Sequence, residues 1–154
     1  RQLFPDVTIP NSTCFAPDKS RAYFSDTARG KLFSVTLDAD GWPNAKPEVF
    51  VDFAAMGLNP DGEVTDADGN LWIAFWGAAR VGVYSPQGQE IASHPMDAAQ
   101  VTCPAFGGED LTTLFCTSAS EGLSEAEASQ FAGTGQVFAQ ERAGQGREEY
   151  AVQL

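Results

Sequence analysis

The chain has 154 residues, enough for one domain with a sizeable core, and its 43% apolar content with eleven Phe, three Trp and three Tyr is that of a globular protein. Nine basic against twenty-one acidic residues give a net charge of -12, which repels phosphate backbones and anionic lipid and so argues against nucleic-acid and membrane partners. No apolar run approaches the roughly 20 residues needed to cross a bilayer.

Fifteen Gly and nine Pro at short intervals favour many short strands over long helices. In chain order, a first unit runs through Phe15-Ala16-Pro17-Asp18 into Arg21-Ala22-Tyr23-Phe24-Ser25-Asp26, then from Ala28-Arg29-Gly30 into Lys31 to Leu37. A second passes from the turn Asp66-Ala67-Asp68-Gly69-Asn70 into Leu71-Trp72-Ile73-Ala74-Phe75, then to Arg80-Val81-Gly82-Val83-Tyr84. A third passes through Gly107-Gly108-Glu109-Asp110 into Thr113-Leu114-Phe115-Cys116-Thr117 and later Gly135-Gln136-Val137-Phe138-Ala139. Asp18, Asp68 and Asp110 mark equivalent turns, 50 and 42 residues apart. Such a period, with antiparallel strands in each repeat, describes propeller blades of four strands; an immunoglobulin-like sandwich would not repeat the unit this way. Phe24, Phe33, Trp72, Ile73, Val83 and Phe115 are expected between sheets.

Three blades cannot close a ring that typically takes about four to eight. The expectation is therefore that residues 1–154 form the C-terminal half of a single propeller, with a missing N-terminal half as partner. Arg1 carries no leading Met, and the text begins as if in mid-domain, with no signal peptide. The one helical signal is Ser124 to Phe131, where Ser124 and Glu127 have the capping-box spacing. Cys14, Cys103 and Cys116 form no even set and no C-x-x-C pair; they read as buried free thiols in a reduced cytoplasm.

Two segments carry chemistry: Ile9-Pro10-Asn11-Ser12 and Asn59-Pro60-Asp61-Gly62. In each, a proline stiffens the backbone just before an oxygen-bearing side chain, upstream of a blade's first strand. Equivalent positions on adjacent blades would aim the Asn11 amide oxygen and the Asp61 carboxylate at one point on the channel rim, and an oxygen-only set suits a hard divalent cation. N-P-D-G is also an ordinary turn sequence. Other motifs give less. Asp38-Ala39-Asp40-Gly41 and Asp66-Ala67-Asp68-Gly69 imitate the opening of a calcium loop, but such a loop begun at Asp66 would need Glu where Gly77 stands, so both read as hairpin turns. His94, the one histidine, reads as part of a polar loop, Ser93-His94-Pro95, and no G-x-S-x-G is present, which argues against a hydrolase triad. Gly133-Thr134-Gly135 is too short for a dinucleotide fingerprint. Trp72 and Phe75 read as core, Trp76 as a residue for the channel mouth.

Ile9-Pro10-Asn11 with Phe15-Ala16-Pro17-Asp18 and Tyr23-Phe24-Ser25-Asp26-Thr27 resembles the SMP-30/gluconolactonase/regucalcin family. So do Pro60-Asp61-Gly62 with Asp68 to Ala74, Arg80-Val81 before Ser85-Pro86-Gln87-Gly88, Thr102 to Gly108, and Ser118-Ala119. The resemblance covers nearly the whole chain in the family's order. It implies an all-β, six-bladed propeller, of which this chain supplies about three blades. It further implies one divalent metal ion (Ca, Zn, Mg or Mn) in the channel, held by a Glu, an Asn and an Asp. Asn11 falls on the ligand Asn and Asp61 on the ligand Asp; the Glu, and a substrate-contacting Asn, belong to the first half and are not in this chain. The activity it implies is hydrolysis of a sugar lactone of gluconolactone or pentonolactone type, with Asp61 as general base. The rival is a non-catalytic calcium- or sugar-binding propeller, a role ascribed to some relatives.

Overall fold

The computed structural model describes residues 1–149; the end of the expected 1–154 domain lies outside the described residues. The first blade is an antiparallel sheet in chain order: β1 (Pro10–Phe15), β2 (Arg21–Asp26), β3 (Lys31–Thr36) and β4 (Glu48–Asp52). The second repeats it with β5 (Asn59–Thr65), β6 (Leu71–Trp76), β7 (Arg80–Tyr84) and β8 (Glu90–Pro95). The third has β9 (Gln100–Gly107), β10 (Thr113–Ala119) and β11 (Val137–Gln140), and joins the second through one residue pairing, Trp76 with Gln100. The first strands pack side by side, β1 against β5 and β5 against β9, so these three line the axis about which the blades fan.

Among the described residues the third blade shows three of the expected four strands. After β11 the chain turns back and spends its backbone bonds on loops: Ala143 N donates to Thr112 O (3.0 Å), Gly146 N to Leu111 O (2.9 Å), and the Gln145 carbonyl accepts from Ala67 N (2.8 Å). The helical signal condenses to one turn, α1 (Glu125–Ala128), between β10 and β11. Its capping box is as the sequence spells it: Ser124 Oγ accepts from Glu127 N (3.3 Å) and Glu127 Oε2 accepts from Ser124 N (2.9 Å).

The Asp-rich turns are hairpin devices. Asp66 Oδ1 accepts from Asp68 N (3.0 Å) and Asn70 N (2.8 Å), while Oδ2 accepts from Asn70 Nδ2 (2.9 Å) and Trp72 Nε1 (3.0 Å). Asp38 holds Asp40 N and Trp42 N in the same way. These carboxylates close their own loops, as short polar side chains do in turns.

The core consists of two seams between blades. Cys14, Tyr23, Leu32, Val51 and Phe53 of the first blade meet Leu71, Ile73, Phe75 and Tyr84 of the second, with Phe53 edge-on to Phe75 at 4.9 Å and to Tyr84 at 5.2 Å. Trp72, Ala74, Val81, Val83 and Met96 meet Val101, Leu114 and Cys116 of the third. Strand β6 is buried on both faces because alternate residues serve alternate seams: Leu71, Ile73 and Phe75 one way, Trp72 and Ala74 the other.

Four expectations are corrected. Phe115 is 38% exposed, because it alternates with Leu114 and Cys116 and so points to the outer face of the third blade. Phe24 and Phe33 are only half-buried; they stack at 5.3 Å on the outer face of the first blade, where Phe4 covers Phe24 at 5.1 Å. Of the three free thiols, Cys14 and Cys116 are buried but Cys103 is exposed, being carried out of the seam by an irregularity of β9. His94 lies within β8 and not in a loop, its ring 4.7 Å from that of Trp72 and its Nδ1 3.1 Å from Gln140 Oε1.

Candidate functional site

Asn11 and Asp61 stand near the starts of β1 and β5, two strands joined by side chains. The Ser12 hydroxyl donates to the Asp61 carbonyl oxygen, Cys14 Sγ to Glu63 Oε1 (2.8 Å), and Thr65 Oγ1 to the Phe15 carbonyl oxygen (2.8 Å). One further hydroxyl ties the two candidates together. Thr27 Oγ1 accepts from Asn11 Nδ2 (3.3 Å) and donates to the Pro60 carbonyl oxygen (2.6 Å).

Both residues sit at breaks in strand register. The β1–β2 ladder shifts between Asn11 and Cys14, with Ser12 in the left-handed region at φ 52°, and the β5–β6 ladder shifts between Pro60 and Glu63. Such bulges re-aim a side chain from the sheet, and they recur beside functional sites. The β9–β10 ladder breaks at the same level, with Thr102 and Cys103 set against Thr117. Beside Asp61, Gly62 lets β5 approach β9: a Cβ there would lie 2.6 Å from Thr102 O and 2.8 Å from Cys103 Cα.

Asp61 and Asn11 are half-buried. Burial holds the Asp61 carboxyl above its usual range, an effect partly offset by a hydrogen bond from the Asn11 side chain. Burial, and then the Asp61 charge, push the Cys103 thiol up. Two residues along β5 lies a buried carboxyl, Glu63, raised to about 8 by desolvation and only partly relieved by Cys14. Its Oε2 has no hydrogen-bond partner among the described residues. Cys14 in turn is pushed well up, first by burial and then by Glu63. Trp76 ends β6 half-buried, paired with Asn59 and Gln100, at the rim where the Asp61 strand begins.

The structure thus brings together the two residues singled out from the sequence. Their donor set, one amide oxygen and one carboxylate, fits part of the coordination shell of a hard divalent cation. No group of three or more His, Cys, Asp or Glu able to hold a metal occurs among the described residues, so the pair is an incomplete set. Sequence reasoning does not single out Ser12 and Thr27, which brace the pair, or Glu63 and Cys103, which lie beside it. For Cys103 a signal existed: it precedes Asp110 by seven residues, as Asn11 precedes Asp18 and Asp61 precedes Asp68.

The chain resembles known proteins along nearly its whole length. It is 38% identical over 135 residues to the 6-deoxy-6-sulfogluconolactonase of Pseudomonas putida, which covers 87% of this chain and 46% of that protein. To the L-arabinolactonase of Azospirillum brasilense it is 37% identical over 126 residues, 81% of this chain and 41% of the relative. The solved structure of a calcium-binding protein, regucalcin, from Agrobacterium tumefaciens superposes with a TM-score of 0.95 at 40% identity, over 100% of this chain and 52% of that one. A luciferin-regenerating enzyme gives 0.85 at 26% identity, over 96% and 50%. The chain therefore spans about half the length of the relatives it matches. Residues 1–120 match the family model described as the SMP-30/gluconolactonase/LRE-like region, and the chain, whose blades are those of a propeller, belongs to that family.

Proposed function

We propose that the protein carrying this chain hydrolyses a sugar lactone to the aldonic acid, and that Asn11 and Asp61 are this half's contribution to a divalent metal site in the channel. The reading rests above all on one observation: two register breaks on adjacent inner strands bring an amide and a carboxylate together, locked through Thr27. The gluconolactonase and arabinolactonase names of the relatives support the substrate class. The remaining metal ligand and further substrate contacts come from the other half of the propeller.

A divalent metal, when bound, supplies Lewis acidity toward the lactone carbonyl and the attacking water. Asp61 takes the proton from that water as it adds to the carbonyl carbon, then returns it to the ring oxygen as the C–O bond opens. Half-buried and hydrogen-bonded by the Asn11 side chain, the Asp61 carboxylate is held in place to take that proton and return it. Asn11 spends its N–H groups on Thr27 and Asp61 and keeps its carbonyl oxygen as a neutral donor. A neutral ligand leaves more positive charge at the site to stabilise developing oxyanion. Ser12 and Thr27 hold the Asp61 and Pro60 carbonyls and so fix the backbone that presents the base.

The likeness to a structure described as a calcium-binding protein supports the rival reading of a binding propeller. A pH-stat assay on the full-length protein separates the two, with gluconolactone and pentonolactones as substrates, with and without EDTA. EDTA-sensitive acid release supports the lactonase; calcium binding without acid release from any of these lactones supports the rival.

A further inference from the structure

We infer that Cys103 is a third donor of the Asn11–Asp61 site, biasing it toward thiophilic divalent cations such as Zn²⁺ and Cd²⁺ over Ca²⁺ and Mg²⁺. The inference rests on the metal reading above and extends it to a residue that the Asn/Asp pattern does not include.

Three observations carry it. Asn11, Asp61 and Cys103 each stand seven residues before the Asp of their blade's first turn, Asp18, Asp68 and Asp110, so repeat symmetry gives them one level on three successive inner strands. All three lie at or within a break in register, the device that turns a side chain out of the sheet. And β9 touches β5 beside Asp61: a Cβ on Gly62 would stand 3.0 Å from Cys103 Cβ, which puts the thiol's own carbon against the backbone that carries the carboxylate. Cys103 is also exposed while Cys14 and Cys116 are buried, and its sulfur has a long contact at 3.8 Å with the Pro104 carbonyl.

An amide and a carboxylate are hard donors and discriminate little among divalent ions, whereas a thiolate selects zinc-like and softer ones. On coordination the thiol releases its proton to solvent, so binding of a thiophilic ion frees a proton that a site of Asn and Asp alone would not.

The test uses the full-length protein, titrated with Cd²⁺ by calorimetry and, in parallel, by near-ultraviolet absorption, where cadmium thiolate gives a charge-transfer band. The wild type is expected to show the band. Cys103→Ser, an exposed and nearly isosteric change, is expected to lose it while still binding Cd²⁺, with one proton fewer released per ion and the preference for Cd²⁺ over Ca²⁺ reduced. A Cd²⁺-loaded wild type without the band, or a band that persists in Cys103→Ser, overturns the assignment and leaves the Asn11–Asp61 reading standing. Calorimetry showing no binding of either ion overturns both.

Discussion

The Thr27 hydroxyl donates to the Pro60 carbonyl oxygen over 2.6 Å, which fastens the first blade to the backbone that presents Asp61. Thr27 Oγ1 in turn accepts from Asn11 Nδ2, so a single side chain positions both candidate ligands. Thr27→Val keeps the shape but removes this hydroxyl. The expected loss is about 0.5–1.5 kcal/mol for the hydrogen bond to Pro60, plus a weaker hold on Asn11. In denaturant unfolding the variant should lie within that range of the wild type, while metal affinity falls further than stability does. An unchanged metal affinity would show that Asn11 is oriented by other contacts.

Gly62 makes a second, purely steric prediction. Gly62→Ala places a methyl 2.6 Å from the Thr102 carbonyl oxygen, closer than real Cβ contacts allow, so β5 and β9 must part. Overpacking of this kind costs about 1–3 kcal/mol. A thermal melt should fall accordingly, and lactone turnover should fall with it because Asp61 rides on the displaced segment. Wild-type melting with wild-type turnover would mean that the seam yields freely at this point.

Glu63 predicts a pH dependence of stability. Its carboxyl is raised to about 8 in the folded protein, against about 4.3 for an unperturbed glutamate. The native state then binds the proton more tightly than the unfolded chain. Its contribution is full below about 4.3 and is lost as pH climbs through the folded value near 8. Glu63→Gln can keep the acceptor for Cys14 without the ionisation, so its melting temperature should decline less than the wild type's between pH 5 and about 9. Parallel curves for the two proteins would place the alkaline loss elsewhere.

The contrast between β6 and Phe115 shows how much of the fold was legible. The turn-strand repeat places β2, β3, β6 and β7 of the first two blades, since alternation and Asp/Gly turns are local signals; it does not assign β1, β4 or β5, and β8 reads as a polar loop. Which apolar residues are buried was less so. Phe115 and Ile73 look alike in sequence, but Ile73 points into a seam and Phe115 points to an outer face, a matter of which blades have neighbours. No fourth strand follows β11 among the described residues, where residues 143–146 bond to Ala67, Leu111 and Thr112 instead.

At the site, Asn11 and Asp61 could be named because a proline precedes each and the family pattern contains both. Thr27 and Ser12 could not, because their roles depend on contacts across 33 and 49 residues between strands of different blades. Glu63 reads as a polar position on an alternating strand, and its burial follows only once the β5 bulge turns it against Cys14. Cys103 shares the seven-residue spacing, but a thiol lies outside the Asn/Asp oxygen-donor pattern.

In the proposed mechanism Asp61 is both ligand and base, while Asn11 is ligand alone. The most direct measurement compares Asp61→Ala and Asn11→Ala in the full-length protein, following lactone hydrolysis by acid release across a metal titration. Asn11→Ala should recover much of its activity as metal is raised, because occupancy answers to mass action. Asp61→Ala should stay down by roughly 10² to 10⁴ at saturating metal, the usual cost of a lost general base. If Asp61→Ala regains near-normal turnover when the metal site is full, Asp61 is not the base and the mechanism proposed for this site is wrong.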